Sequence, residues 1–269
     1  MEGTLGKKFT YVAGARYRSN GYFLNSLPTK GAYNPVFADG QFLGEYQLNP
    51  KLTWSVLAHY SSNNYRFAPQ TSNTDFGTAN EAYSFRIYFD GKESTRFQTG
   101  MVGTSLNYTP NTKTKLGFFL TGFQSDEREY FDIQGQYYIN ELETDPSKEE
   151  YGDSIAVLGI GTFLNHARNR LNAQIYNAYH EGSYVFKKDY IDMYRTRFVS
   201  SELVWGAGYE LDRFRDVLSE WKMIDSAGYS VPQGNSNEVE LFETIKSNLN
   251  LVNHKATGYL QWNYSKSHT

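Results

Sequence analysis

From Lys51 to Ser61 the chain alternates, with Leu57 the one exception. Leu52, Trp54, Val56, Ala58 and Tyr60 interleave with Lys51, Thr53, Ser55, His59 and Ser61. A period of two puts these sets on opposite faces of an extended strand, one apolar and one wet. The pattern returns where Phe42, Gly44, Tyr46 and Leu48 oppose Gln41, Glu45 and Gln47. It returns again where Ala256, Gly258, Leu260, Trp262 and Tyr264 oppose Lys255, Thr257, Gln261 and Asn263. Many two-faced strands in one chain predict an all-β fold in which antiparallel strands form a barrel wall, apolar outside and polar within.

Composition does not oppose this. Charged residues make up 20% of the 269 residues and the mean hydropathy is −0.61, but a β-barrel dilutes its apolar band by alternation and by polar loops. No apolar run approaches the roughly 18 residues that a membrane-crossing helix requires. The longest, Ile155 to Ile160, is far too short. Any crossing is therefore by strands. The absence of cysteine removes disulfides and thiol chemistry without choosing a compartment. The start at Met1-Glu-Gly-Thr has neither the basic nor the apolar stretch of a signal peptide.

Strands are predicted near 8–18, 35–48, 51–61, 97–109, 113–124, 170–184, 200–212 and 250–264. Asn49-Pro50 and Thr109 to Thr112 read as tight turns. Between the hairpins lie gaps at 19–34, 62–96, 125–169 and 213–249, read as long loops on one edge. Short turns on one edge and long loops on the other is the polarity of outer-membrane barrels. Within the gaps, Tyr83 to Phe89 reads as a strand rising above a membrane. Ile155 to Leu164 is open between strand and short helix. The stretch from Arg213 to Ile224 has mixed spacing, and 226–235 is loop by its Gly, Pro and Ser content.

The gap from Ser125 to Asp153 holds ten acidic residues against Arg128 and Lys148. It is either a mouth that attracts cations or a solvated loop, and it lacks the spacing of a calcium loop. Tyr130, Phe131, Tyr137 and Tyr138 are interleaved with those acids. They are candidate ligand-binding rings, with packing of the loop against its neighbours as the alternative. Glu45, Lys115, Gln174, Glu210 and Lys255 are candidate lumen-facing residues. Trp54, Tyr60, Tyr108, Trp205, Tyr209, Trp262 and Tyr264 suit aromatic girdles at two membrane interfaces. His59 and His254 are expected to face the wet side. Arg16 and Arg18, beside Tyr17, are either headgroup contacts or solvated. The scattered histidines have no metal spacing, and no nucleophile elbow or phosphate-binding loop is present. No catalytic residue, metal or cofactor is expected, and with a pI near 6.0 nucleic acid is not an expected partner.

Glu2-Gly-Thr-Leu-Gly-Lys-Lys-Phe-Thr-Tyr-Val-Ala-Gly-Ala-Arg-Tyr-Arg18 resembles an early barrel segment of TonB-dependent receptors of the Bacteroidetes type. The likeness continues in Leu24 to Gly31, Tyr88 to Gly91, Tyr130 to Tyr138, Gly161 to Asn169 and Trp221 to Tyr229, and so spans nearly the whole chain. The resemblance implies about 8 to 10 strands of a barrel of roughly 22, in the outer membrane of a Gram-negative cell. The whole of 1–269 would be barrel, about a third of a receptor, without the family's plug domain or TonB-contacting segment. It also implies nutrient uptake in the intact receptor, with outer-membrane lipid, the plug, TonB and a surface lipoprotein as partners, and no enzymatic activity. The alternatives are a small closed outer-membrane barrel acting as an adhesin or structural protein, and a soluble β-sandwich that binds carbohydrate.

Overall fold

The computed structural model describes residues 1–19, 21, 31–187, 190–192, 195–225 and 241–268. The elements are β1 (Glu2–Leu5), β2 (Phe9–Ser19), β3 (Gly31–Tyr33), β4 (Val36–Asn49), β5 (Leu52–Pro69), β6 (Ser72–Gly77), β7 (Ala82–Asn111), β8 (Thr114–Leu142), β9 (Ser154–Lys187), β10 (Tyr190–Asp192), β11 (Arg195–Asp225) and β12 (Glu243–His268). All twelve lie in one antiparallel sheet, ordered β1-β2-β4-β5-β7-β8-β9-β11-β12. Short β3, β6 and β10 prolong the pairing of β5, β7 and β11. Neighbours in the sheet are neighbours in the chain, so the fold is a meander. It is a single layer rather than two packed sheets, and it is not closed on itself.

The expected strands occur where alternation placed them; of the expected long loops, 19–34 lies mostly outside the described residues, and the others are largely replaced by strand. Most of 62–96 and 125–169, and the described part of 213–249, are strand, because β5, β7, β8, β9 and β11 continue far past their apolar stretches. Tyr83 to Phe89 lies within β7, Ile155 to Leu164 within β9, and Arg213 to Ile224 within β11. At about 3.3 Å per residue, the 34 residues of β9 run roughly 110 Å. The segment 226–235 and most of Leu24 to Gly31 lie outside the described residues, as does the end of Trp221 to Tyr229.

The edge with short turns is made by one repeated device. Asn49 Oδ1 accepts from the Lys51 amide at 2.9 Å, and Asn111 Oδ1 accepts from the Lys113 and Thr114 amides at 2.9 and 3.0 Å. An asparagine that bonds the backbone two residues on mimics a turn, so β4–β5 and β7–β8 reverse almost at once. At the other edge the β8–β9 hairpin closes through 143–153, where Gly152 has φ 86°.

Residues opposite one another in an antiparallel ladder point to the same face. One row therefore runs Phe42, Ala58, Val102, Gly122, Tyr176 and Leu211 across six strands. The next row on the other face runs Leu57, Gly103, Thr121, Asn177, Glu210 and Lys255. Ser125, Ala167, Asn169, Ala173 and Asp212, all on this second face, are buried although nothing is stacked on the sheet. Ser84 is buried on the first face, but five of these six side chains share the second, and because side chains crowd one another most on the inside of a curve, the second face is concave and the apolar face convex.

Candidate functional site

The convex face carries a continuous apolar band. It extends from Leu52 to Tyr60 on β5 and from Gly100 to Tyr108 on β7, in matching register, and from Leu203 to Leu211 on β11, one convex row lower. Val102 and Leu120 are each 58% exposed and Trp262 is 70% exposed. About a dozen half-exposed large side chains sum to on the order of 1,000 Å² of apolar surface, beyond what a soluble monomer usually shows. About nine residues per strand, tilted by about 40°, give a band roughly 25 Å tall, the height of the lipid-facing band of outer-membrane barrels. Trp54, Tyr60, Tyr108, Trp205, Tyr209, Trp262 and Tyr264 all belong to this face. Most of them gather toward the short-turn edge, with Tyr60 at the opposite limit.

The concave face at the same height is mixed: Ser55, His59, Thr121 and Asn177 stand there among Leu57, Met101, Phe119, Phe123 and Ile175. Glu45, Lys115, Glu210 and Lys255 share this face, and Gln174 lies on the other. Its ladder partners are Gln124 and Arg213, in the convex row of Tyr60 and Gly100. The short apolar signal of β9 left its phase ambiguous, and register resolves it. His59 is concave, whereas His254 is convex and meets the Tyr209 hydroxyl at 2.6 Å. On the concave face Lys255 bridges Glu210 at 2.6 Å and Asp212 at 2.8 Å. Arg16 pairs with Asp39 at 2.8 Å.

Above the band the concave wall turns acidic and aromatic. Glu93, Glu127, Glu129, Asp216 and Glu220 point to it, among Tyr65, Phe67, Phe97, Phe131 and Phe214. Asn169 is the hub of this wall. Its amide donates to Glu129 Oε2 at 3.2 Å and to Glu220 Oε1 at 2.5 Å, and its oxygen accepts from the Ser219 amide at 3.2 Å. Ser125 donates to Glu127 at 3.2 Å. A neutral amide on β9 thus ties together carboxylates of β8 and β11. Among the described residues no cluster has the composition to hold a metal ion. Carboxylates interleaved with rings suit polyhydroxylated or cationic ligands, whose hydroxyls or ammonium groups donate to the acids while their carbon skeletons lie on the rings.

Tyr130, Phe131, Tyr137 and Tyr138 therefore sit on strand β8 rather than on a loop, and they do not form one surface. Phe131 and Tyr137 are concave, Tyr130 and Tyr138 convex. The acidic stretch divides in the same way. Glu127 and Glu129 face inward, Asp126 and Asp132 outward, and only Glu143 to Asp153 forms the hairpin tip. Sequence reading missed Glu93, Tyr65, Phe67, Phe97, Asn169, Asp216 and Glu220. The usable signal was the parity of each strand carried past the end of its apolar run.

No family model matches this chain. No curated protein and no solved structure matches it either.

On the convex side, high above the band, His166 stacks on Trp221 with centroids 4.6 Å apart and meets Asp132 at 2.6 Å, and Arg168 pairs with the same carboxylate. The Arg168 bond, then that of His166, holds Asp132 below the usual carboxylate range. At the hairpin tip Lys148 binds Glu143 at 2.6 Å and Ser147 binds Asp145 at 2.7 Å. These contacts lower the pKa of both carboxyls. Groups with depressed folded pKa values contribute stability above the usual carboxylate range and lose it as pH falls through the folded values. The Ser147 and Gly152 amides are accordingly expected to lose protection from hydrogen exchange in acid, while amides in the β8–β9 ladder keep theirs. Equal loss in both places would show that these carboxylates do not hold the tip.

Proposed function

We propose that this chain forms wall of an outer-membrane β-barrel of the TonB-dependent receptor type, which in its intact form takes up a scarce nutrient across the outer membrane. The observation that carries the membrane part is the exposed convex apolar band, about nine residues tall on each strand. Supporting the receptor part is the resemblance of Glu2 to Arg18 and of the later segments. Glu45, Lys115, Glu210 and Lys255 would then line the lumen, beside a plug domain or the passing substrate. The acidic and aromatic wall above them would meet a polyhydroxylated or cationic nutrient, delivered by a surface lipoprotein and drawn inward by energy relayed through TonB. The role is binding and passage, with no covalent chemistry.

The four tryptophans provide the test. Trp54, Trp205 and Trp262 lie in the band, whereas Trp221 sits on the same face far above it. In variants that retain one tryptophan each, reconstituted in vesicles of brominated phosphatidylcholine, the first three are expected to be quenched by the lipid. Trp221 should be quenched by aqueous iodide instead. Uniform quenching by iodide at all four sites would rule out the membrane reading.

A further inference from the structure

We infer that the convex face holds a binding site for a phosphate-bearing membrane lipid, with an acyl chain in a groove of the apolar band and the headgroup on a row of arginines above it. This rests on the reading that the band lies in a bilayer. Arg96, Arg128 and Arg170 stand side by side in one ladder row across β7, β8 and β9. Arg213 and Arg215 join the same face from β11, and Arg66 stands one convex row higher on β5.

The arrangement is one-sided. In the rows from Asp212 up to Glu220, strands β5 to β12 place acids and no Lys or Arg on the concave face. Opposite charges thus occupy the two faces of one sheet. On the convex face Asp126 pairs with Arg128 at 2.8 Å and Asp132 with Arg168. Arg170 lies over the Tyr130 ring, 5.3 Å from its centroid. Arg96, Arg213 and Arg215 are exposed and have no acidic partner among the described residues. Arg96 in the row, with Arg215 one convex row lower and Arg213 two rows lower on β11, leaves guanidinium groups free to match phosphate oxygens, which they can bind in forked pairs.

Depth selects a lipid as the occupant. The row of Arg96 lies four residues beyond the row of Tyr60 and Gly100, about 10 Å in height for a tilted strand, which is headgroup level. Directly beneath it, Gly40, Ala58, Gly100 and Gly122 floor a groove of about 720 Å³ walled by Phe42 and Tyr176. A Cβ added at Gly100 would meet nothing within 4 Å, so the trough is open where a chain would enter. Small residues in the band and arginines above it are what a lipid with one chain against the wall requires.

The test is native mass spectrometry of the full chain in zwitterionic micelles, titrated with lipid A, with its dephosphorylated form and with inorganic phosphate. Retained lipid A is expected, with affinity falling about tenfold or more in the R96Q/R170Q/R215Q variant and falling also in Gly100→Leu, which fills the groove. Dephosphorylated lipid should bind wild type no better than lipid A binds the arginine variant. Unchanged affinity in both variants, or inorganic phosphate binding as tightly as the lipid, would overturn the site. Quenching of Trp54 and Trp262 by brominated lipid, read on the same samples, separates the two ideas. Its absence in wild type defeats the membrane reading itself, while its persistence in a variant shows that the variant is still inserted.

Discussion

Gly91→Ala is expected to unzip the upper part of the β7–β8 ladder. Gly91 has φ 101°, a region open to glycine and costly for any residue with a Cβ. A Cβ there would lie 1.9 Å from the Asp132 carbonyl oxygen, so relief by side-chain motion is impossible and the backbone must move. Strain of this kind costs about 1–3 kcal/mol before the clash is counted. The loss should appear as hydrogen exchange in Ala82 to Asp90 and in the facing part of β8, with the apolar band unaffected. Gly100→Ala is the control, because its Cβ enters open space and an added methyl in a strand is neutral or favourable. If both changes had the same effect, the conformation at Gly91 would not be what holds the ladder together.

The second large effect is expected at Gly182→Val, inside the band. Gly182 faces Trp205 across the β9–β11 ladder, and a Cβ at Gly182 would sit 2.2 Å from the indole ring. The same indole donates to His180 Nε2 at 3.2 Å, and His180 stacks on Phe118 with centroids 4.4 Å apart. Valine would evict the ring, break that bond and expose the glycine backbone. Overpacking plus the lost bond should cost about 2–4 kcal/mol, measured as a lower melting temperature in detergent together with a changed Trp205 emission. An unchanged emission spectrum would mean that the ring does not cover Gly182. Rings lie over glycines again at Gly135 with Phe163, Gly161 with Tyr137 and Gly206 with Tyr259. The pairs restore packing where glycine leaves strands bare.

Strands were legible in the sequence wherever apolar and polar residues alternate, because burial of one face leaves a period of two. Leu52 to Ser61 and Ala256 to Tyr264 are strand on that ground alone. Apart from Tyr83 to Phe89, read as strand, and Ile155 to Leu164, left open, the tall parts of β7, β8 and β9 were read as loop because charged and aromatic residues there occur on both faces. Glu127 and Glu129 on one side and Arg128 on the other show no hydropathy contrast, and only their ladder partners reveal opposite directions. The row of Arg96, Arg128 and Arg170 was invisible for the same reason. Its members are 32 and 42 positions apart, and nothing short of the register brings them side by side. Gln174 was placed on the wrong face because one residue of phase reverses every side chain in a strand.

The height of β7, β8 and β9 has a consequence for how this chain can change over time. From the row of Tyr60 to that of Phe85 the wall continues for 15 more residues on β7, on the order of 40 Å above the band for a tilted strand. The hairpin at 143–153 therefore stands clear of everything that holds the sheet in place. If the band lies in an outer membrane, as we propose, substitutions and insertions around Ser147 alter what meets the cell surface first, without disturbing the band or the acidic wall. Variation can accumulate at the tip while the rows beneath it stay fixed.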